Sequence, residues 1–306
     1  MSSRAALIFV AVAGAAFATS GPLARWARPA HPVSVAFGRV ALAAIFLVLV
    51  DLRGQRATRA ALGSLRLRTL AAIAGTGALL AAHFALFIGG LDATSLPAAV
   101  SLISLEPLSV VLFAWLLHGI APDRLERAGV VLATVGAVLV AGGAGVGEHR
   151  LTGDLLVVGA VVLYGLYIAA ARALRDALPP RAYAALVYAF AALALLPLLV
   201  AMASLGVELP HPPRSLLAVL LLALVPTLVG HTFVQSAARH ASPSLVALVS
   251  PAETVGGIAI GAVLLGARPS PMELGGTLVI LAGVALAIVA QQRKEPGAPA
   301  ARAGGA

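Results

Sequence analysis

Cysteine is absent from the 306-residue chain. That absence removes disulfides, cysteine-ligated metals and thiol nucleophiles together. Charge is scarce as well: Asp, Glu, Lys and Arg make up 11% of residues, where an average soluble domain carries about 25%. Hydrophobic residues reach 60%, so too few polar side chains remain to cover a surface facing water. An ordinary soluble enzyme is excluded on these figures. So is a disordered chain, which requires low hydrophobicity and high charge. There is no Gly-x-Ser-x-Gly elbow, no His-Glu-x-x-His and no glycine-rich phosphate loop ending in Lys-Ser or Lys-Thr. The few carboxylates are too scattered for a metal cluster. No cofactor, metal or enzymatic activity is expected.

What is present is a succession of apolar runs. A helix crossing hydrocarbon needs about 20 mostly apolar residues, and ten such runs lie near 5–23, 33–52, 69–90, 94–118, 126–143, 153–174, 181–204, 214–236, 243–265 and 271–291. The expected fold is all-α and integral to a membrane, with ten transmembrane helices. A net charge of +9 would suggest nucleic acid in a soluble protein, but here the arginines sit between apolar runs. With the N-terminus in the cytoplasm, 15 of the 21 basic residues fall in cytoplasmic segments, 5 fall outside, and Arg39 lies within the second run. Retained positive charge fixes orientation, so both termini are expected in the cytoplasm of a cell's inner membrane. Residues 292–306 read as a disordered cytoplasmic tail.

Residues 1–20 also resemble a secretory signal, with Arg4, an apolar stretch and Ala16-Phe17-Ala18 as a candidate cleavage site. An internal duplication argues against removal. Shifted by 147 residues, Glu106 meets Glu253, Gly119 meets Gly266, Pro122 meets Pro269, Glu126 meets Glu273, Gly129 meets Gly276 and Gly136 meets Gly283. Arg25 meets Arg172, Arg28 meets Arg175, and Phe17-Ala18 meets Tyr164-Gly165. The first run thus has a partner in 153–174 and belongs to the fold. Five spans per unit is an odd number, so the second unit must enter the membrane from the opposite face. The expected architecture is two inverted five-helix repeats, residues 1–146 and 147–291, about a pseudo-twofold axis in the membrane plane.

Several stretches carry a family resemblance over Ala5–Ala290: Ser104-Leu105-Glu106-Pro107-Leu108, Ser242-Pro243-Ser244 through Glu253, and the hairpins His118-Gly119-Ile120-Ala121-Pro122 through Gly129 and Gly266-Ala267-Arg268-Pro269 through Gly276. With Phe37-Gly38-Arg39, these are similar to the drug/metabolite transporter superfamily, EamA type. The resemblance implies that the first four helices of each unit frame a central cavity. It also implies a carrier of amino acids, other small metabolites or drugs, here expected to work as an exporter. The family commonly has Glu after each hairpin glycine, where this chain has Ile120 and Ala267, and Trp in the first run, where it has Phe17.

Ionisable residues within spans cost roughly 2.5–3.5 kcal/mol at mid-membrane, so each invites an explanation. Glu106 and Glu253 sit mid-run, each beside a proline (Pro107, Pro251) that frees a backbone carbonyl. They read either as a substrate-amine or proton site or as protonated groups stabilising a kink. Arg39 either pairs with one of those carboxylates, as a buried charge requires, or binds a substrate carboxylate. His83 and His231 could relay protons or bond neighbouring helices. Tyr164 and Tyr167 could line an apolar pocket with polar tips, while Trp115 reads as an interfacial anchor and Ser101, Thr227 and Gln235 as helix–helix glue. The expected partners are a small-molecule substrate and membrane lipids. A polytopic enzyme or lipid-handling protein acting on a lipid or isoprenoid is the alternative.

Overall fold

The computed structural model describes residues 3–52, 63, 65–119, 121–174, 178–207, 212–230, 233 and 249–294. Ala, Leu and Val runs fold into helices throughout: α1 (Ser3–Ala18), α2 (Ser20–Trp26), α3 (Pro32–Leu52), α4 (Leu67–Ala93), α5 (Leu96–Ile103), α6 (Glu106–His118), α7 (Arg124–Gly142), α8 (Leu151–Ala173), α9 (Pro180–Ser204), α10 (Pro213–Leu222), α11 (Val249–Leu265) and α12 (Pro271–Lys294). Helix α10 continues as a wider, π-helical stretch over Ala223–Gly230. Nine spans among the described residues are long and apolar enough to cross a membrane, and the shorter α11 occupies the ninth run from residue 249 onward. Large aliphatic side chains such as Val138, Leu155, Val263 and Leu278 are exposed on the outside, as expected for a bundle whose outer surface meets lipid rather than water.

Three boundaries differ from those read off the sequence. The first run is broken at Thr19, whose hydroxyl donates to the Ala16 carbonyl at 2.7 Å. The fourth run is broken at Ser104-Leu105, directly before Glu106. At the C-terminus α12 continues to Lys294, so residues 292–294, expected in the tail, are helical; the tail from residue 295 lies outside the described residues.

Proline sets the second break. Pro107 lacks an N–H, and the chain before it tightens: Ser104 N donates to Ser101 O at 3.3 Å and Leu105 N to Leu102 O at 3.1 Å. These shorter-range bonds leave carbonyls without helical partners. The α11 hydroxyls take them up, Thr254 Oγ1 donating to Val100 O at 3.0 Å and Ser250 Oγ to Ser104 O at 3.3 Å. By contrast, Glu253 lies inside an unbroken α11.

Matching stop and start signals recur at the 147-residue displacement. Gly119 and Gly266 both take the left-handed backbone that glycine tolerates (φ 68° and 67°). The next helices both begin with reciprocal caps. Asp123 accepts from Glu126 N at 2.8 Å while Glu126 Oε2 accepts from Asp123 N at 2.8 Å. In α12, Ser270 accepts from Glu273 N at 3.2 Å and Glu273 Oε2 accepts from Ser270 N at 2.6 Å.

Helices α7 and α12 pack backbone to backbone and run antiparallel. A Cβ on Gly129 would meet Gly283 O at 2.6 Å, and one on Gly136 would meet Gly276 O at 2.8 Å. At the end of the bundle opposite Ser3, called here the far end, ion pairs and hydrogen bonds tie the connections together. Arg28 Nε lies 2.7 Å from Asp92, Arg25 Nη1 lies 2.6 Å from Glu148, and Arg214 donates to Arg28 O at 2.9 Å.

Candidate functional site

A small cavity of about 40 Å3 opens within the bundle, with room for a few water molecules. Its lining comes from α1 (Phe17), α2 (Ser20), α3 (Arg39), α4 (Leu80, His83, Phe84, Phe87), α5 (Ile103), α6 (Glu106), α8 (Tyr164) and α11 (Glu253). Five of the seven residues singled out from the sequence therefore meet in one place. Tyr167 stands behind Tyr164, ring centroids 6.1 Å apart, and is buried rather than lining. His231 lies outside the described residues, as do Ser242-Pro243-Ser244, Gln235 and Ile120. Helices α7 and α12 contribute no lining residue among the described residues.

Arg39 is 2% exposed, and its guanidinium is held without a direct carboxylate partner. Nε donates to Thr227 Oγ1 at 2.7 Å, Nη1 to Ser20 Oγ at 3.2 Å, and Cζ lies 4.1 Å from the Phe84 ring centroid. An aromatic face and two hydroxyls thus stabilise the cation. Among the described residues no carboxylate is within ion-pair distance of it, so close pairing, one of the two alternatives read from the sequence, is not the arrangement adopted. Glu106 and Glu253 are near enough to interact with it electrostatically.

The π-helical stretch explains why Thr227 is available. Pro226 has no N–H, so the carbonyl four residues back, Leu222 O, loses its α-helical donor. The Thr227 hydroxyl supplies one at 2.8 Å. With its proton committed there, the oxygen presents lone pairs to Arg39. Widened helical turns of this kind recur at functional sites.

His83 is fixed from the opposite wall. Ala160 O accepts from Nδ1 at 2.9 Å, which turns Nε2 toward Glu106 Oε1 at 3.8 Å. The imidazole stacks near Phe87 (6.2 Å, 14°) and touches Tyr164 (5.4 Å between centroids). The cavity therefore offers a fixed cation, two carboxyl groups, an imidazole and an aromatic wall. Such a set can bind an amphipathic molecule carrying charge and can move protons between Glu106 and His83.

A family model described as the EamA-like transporter family matches residues 4–142 and 151–289. The chain belongs to the EamA-like transporter family. It is a multi-pass membrane transporter. The two matched stretches are displaced by 147 residues, the same displacement at which the sequence overlays itself. One solved structure, titled only "Crystal structure of protein", has a TM-score of 0.66 at 20% identity and covers 96% of this chain and 100% of its own; that likeness concerns the fold alone. No curated protein matches.

Within this EamA-like chain, two pairs of residues at the repeat displacement face the same cavity: Glu106 with Glu253, and Phe17 with Tyr164. Phe17, standing where the family commonly has Trp, keeps an aromatic ring there. Trp115, 47% exposed, faces outward away from the site. Sequence reasoning passed over Ser20, Phe84 and Phe87 and took Thr227 for packing glue. A threonine following a proline mid-span was the available signal for Thr227, since such a hydroxyl is placed to satisfy the carbonyl that proline frees.

Proposed function

We propose that this protein is a secondary carrier that moves a small polar or amphipathic metabolite, such as an amino acid, a related compound or a drug-like molecule, out of the cell by alternating access. The observation that carries the reading is the cavity itself. It lies midway along the spans, is lined by residues from both halves, and holds Arg39, Glu106 and Glu253 in a setting where unused charge would be costly. An anionic group of the substrate suits Arg39, a cationic one suits Glu106 or Glu253, and its apolar body suits the ring wall of Phe17, Phe84, Phe87 and Tyr164.

The two halves, residues 1–146 and 147–291, act as inverted repeats that rock about the cavity. Antiparallel packing of α7 on α12 through equivalent glycines supports this. So does convergence of equivalent residues on one site, because a twofold axis perpendicular to the helices would generate both. The N- and C-termini face the cytoplasm of the inner membrane, by the positive-inside bias. Glu106, Glu253 and His83 couple transport to protons, and neither cofactor nor nucleic acid takes part.

Purified protein in liposomes, loaded in turn with radiolabelled amino acids and related metabolites, tests the reading. Exchange of an unmodified compound is expected, with at least tenfold loss in Glu106→Gln and in Glu253→Gln at unchanged protein level. A chemically altered product would instead favour an enzyme acting on lipid or isoprenoid. Wild-type rates in both variants would remove the two carboxyl groups from the mechanism.

A further inference from the structure

The two ends of the bundle treat their arginines differently. At the far end the protein uses them itself: Arg25 on Glu148 and the Thr94 carbonyl, Arg28 on Asp92, Arg150 on the Gly147 and His149 carbonyls, Arg214 on the Arg28 carbonyl. At the opposite end, where Ser3 begins α1, Arg66, Arg68 and Arg181 are exposed. Among the described residues, none of these three side chains has a hydrogen bond or an ion pair. Asp123 and Glu126 at that end are used in capping α7, and neither α4 nor α9 has an acid in its first turn.

The three cations share one patch. Helices α4 and α9 pack closely, so that a Cβ on Gly77 would meet Val187 O at 2.9 Å and Ala191 N at 3.0 Å. Counted back from that contact toward the start of each helix, Arg68 and Arg181 lie at nearly the same level. Between Arg66 and Arg68, Leu67 is 81% exposed, whereas Leu65 packs against the core. Helix α4 has 27 residues, about 40 Å at 1.5 Å per residue, against a hydrocarbon core of about 30 Å. Its first turn therefore reaches the level of lipid phosphates. The connection leading into it adds Arg53, Arg56 and Arg59 to the local charge.

We propose that the starts of α4 and α9 form a binding site for an anionic glycerophospholipid, with Arg66, Arg68 and Arg181 on its phosphate and Leu67 against its acyl chains. Guanidinium forks match phosphate oxygens two at a time, and arginine clusters directly beside a span recognise anionic headgroups. Phosphatidylcholine fits less well, because its own choline offsets the phosphate charge. At the repeat displacement Arg66, Arg68 and Arg181 correspond to Pro213, Ser215 and Ser34, so the duplication supplies no equivalent site at the far end. A lipid held there joins α4, which carries His83, Phe84 and Phe87 into the cavity, to α9. The site requires only that the chain spans a membrane and stands whatever compound the cavity takes.

Full-length protein in detergent, titrated with phosphatidylglycerol or with phosphatidylcholine of the same acyl chains and read by native mass spectrometry, tests the site. The first phosphatidylglycerol should bind at least tenfold more tightly than the first phosphatidylcholine, since each arginine near the surface contributes about fivefold. Arg66→Gln, Arg68→Gln and Arg181→Gln combined should weaken phosphatidylglycerol at least tenfold and leave phosphatidylcholine unchanged. Arg268→Gln, exposed at the far end, should bind both as the parent does. Equal affinities of the parent for the two lipids would overturn the site, as would parent-like phosphatidylglycerol binding in the triple variant. The parent titration decides by itself if that variant does not fold. The purified chain is already folded, so the readout is separate from any part these arginines play in orienting it and from transport in liposomes.

Discussion

At the scale of single residues, the site is built from conflicts that backbone defects resolve. Arg39 is a cation in a lipid-embedded bundle, and its neighbours are hydroxyls and a phenyl face rather than an acid. Thr227 can serve it because Pro226 leaves Leu222 O needing the threonine proton. Removing that hydroxyl strips a partner from two buried groups together, which costs about 1–3 kcal/mol for each left unsatisfied. Thr227→Val should therefore weaken substrate affinity by about tenfold or more, at about 1.4 kcal/mol per decade, and Thr227→Ser should retain it. Equilibrium binding of whichever compound the liposome screen identifies measures both. Equal affinity in the two variants would show that Arg39 does not depend on Thr227. The ionisable residues themselves were legible in the sequence, because a Glu or Arg inside an apolar run stands out. Their partners were not, since Ser20 and Phe84 look like any other helical residues until folding brings them to Arg39.

Elements show the same division between what patterning reveals and what packing decides. The ten apolar runs follow from composition, and the paired glycines at 119 and 266 mark the ends of matching helices. The breaks at Thr19 and Ser104-Leu105 were hidden, because hydropathy does not register which carbonyls a neighbouring helix will accept from. Helix contacts in a membrane rest on close approach rather than on hydrophobic burial, so glycines at the α7–α12 seam carry more weight than their propensity suggests. A methyl group at Gly136 would come within 2.6 Å of Ile280 N, whereas one at Gly75 meets nothing within 4 Å. Backbone atoms cannot step aside as a flexible side chain can, and overpacking of this kind costs typically about 1–3 kcal/mol. Gly136→Ala should lower the melting temperature in detergent, and Gly75→Ala, also mid-helix, should leave it unchanged or slightly raised. Equal melting of the two variants would mean that α7 and α12 do not rely on the seam.

For the whole molecule, the decisive quantity is the direction in which the two halves enter the membrane. On the proposed inverted-repeat reading, the paired cavity residues and the antiparallel α7–α12 contact both follow from one copy turned over relative to the other. A parallel duplication would set equivalent loops on the same face and would make α7 and α12 run parallel. Thr58 and Leu205 occupy equivalent positions in the two units, and Leu205 is exposed at the end of α9. In a chain without cysteine, Thr58→Cys and Leu205→Cys give single reporters for a membrane-impermeant thiol reagent applied to intact cells. Leu205→Cys should label at once, and Thr58→Cys only after the membrane is permeabilised, because the arginine-rich segment around it is retained inside. Labelling of both from the same side would remove the inverted repeat, and with it the structural reason for expecting the cavity to open alternately to the two faces.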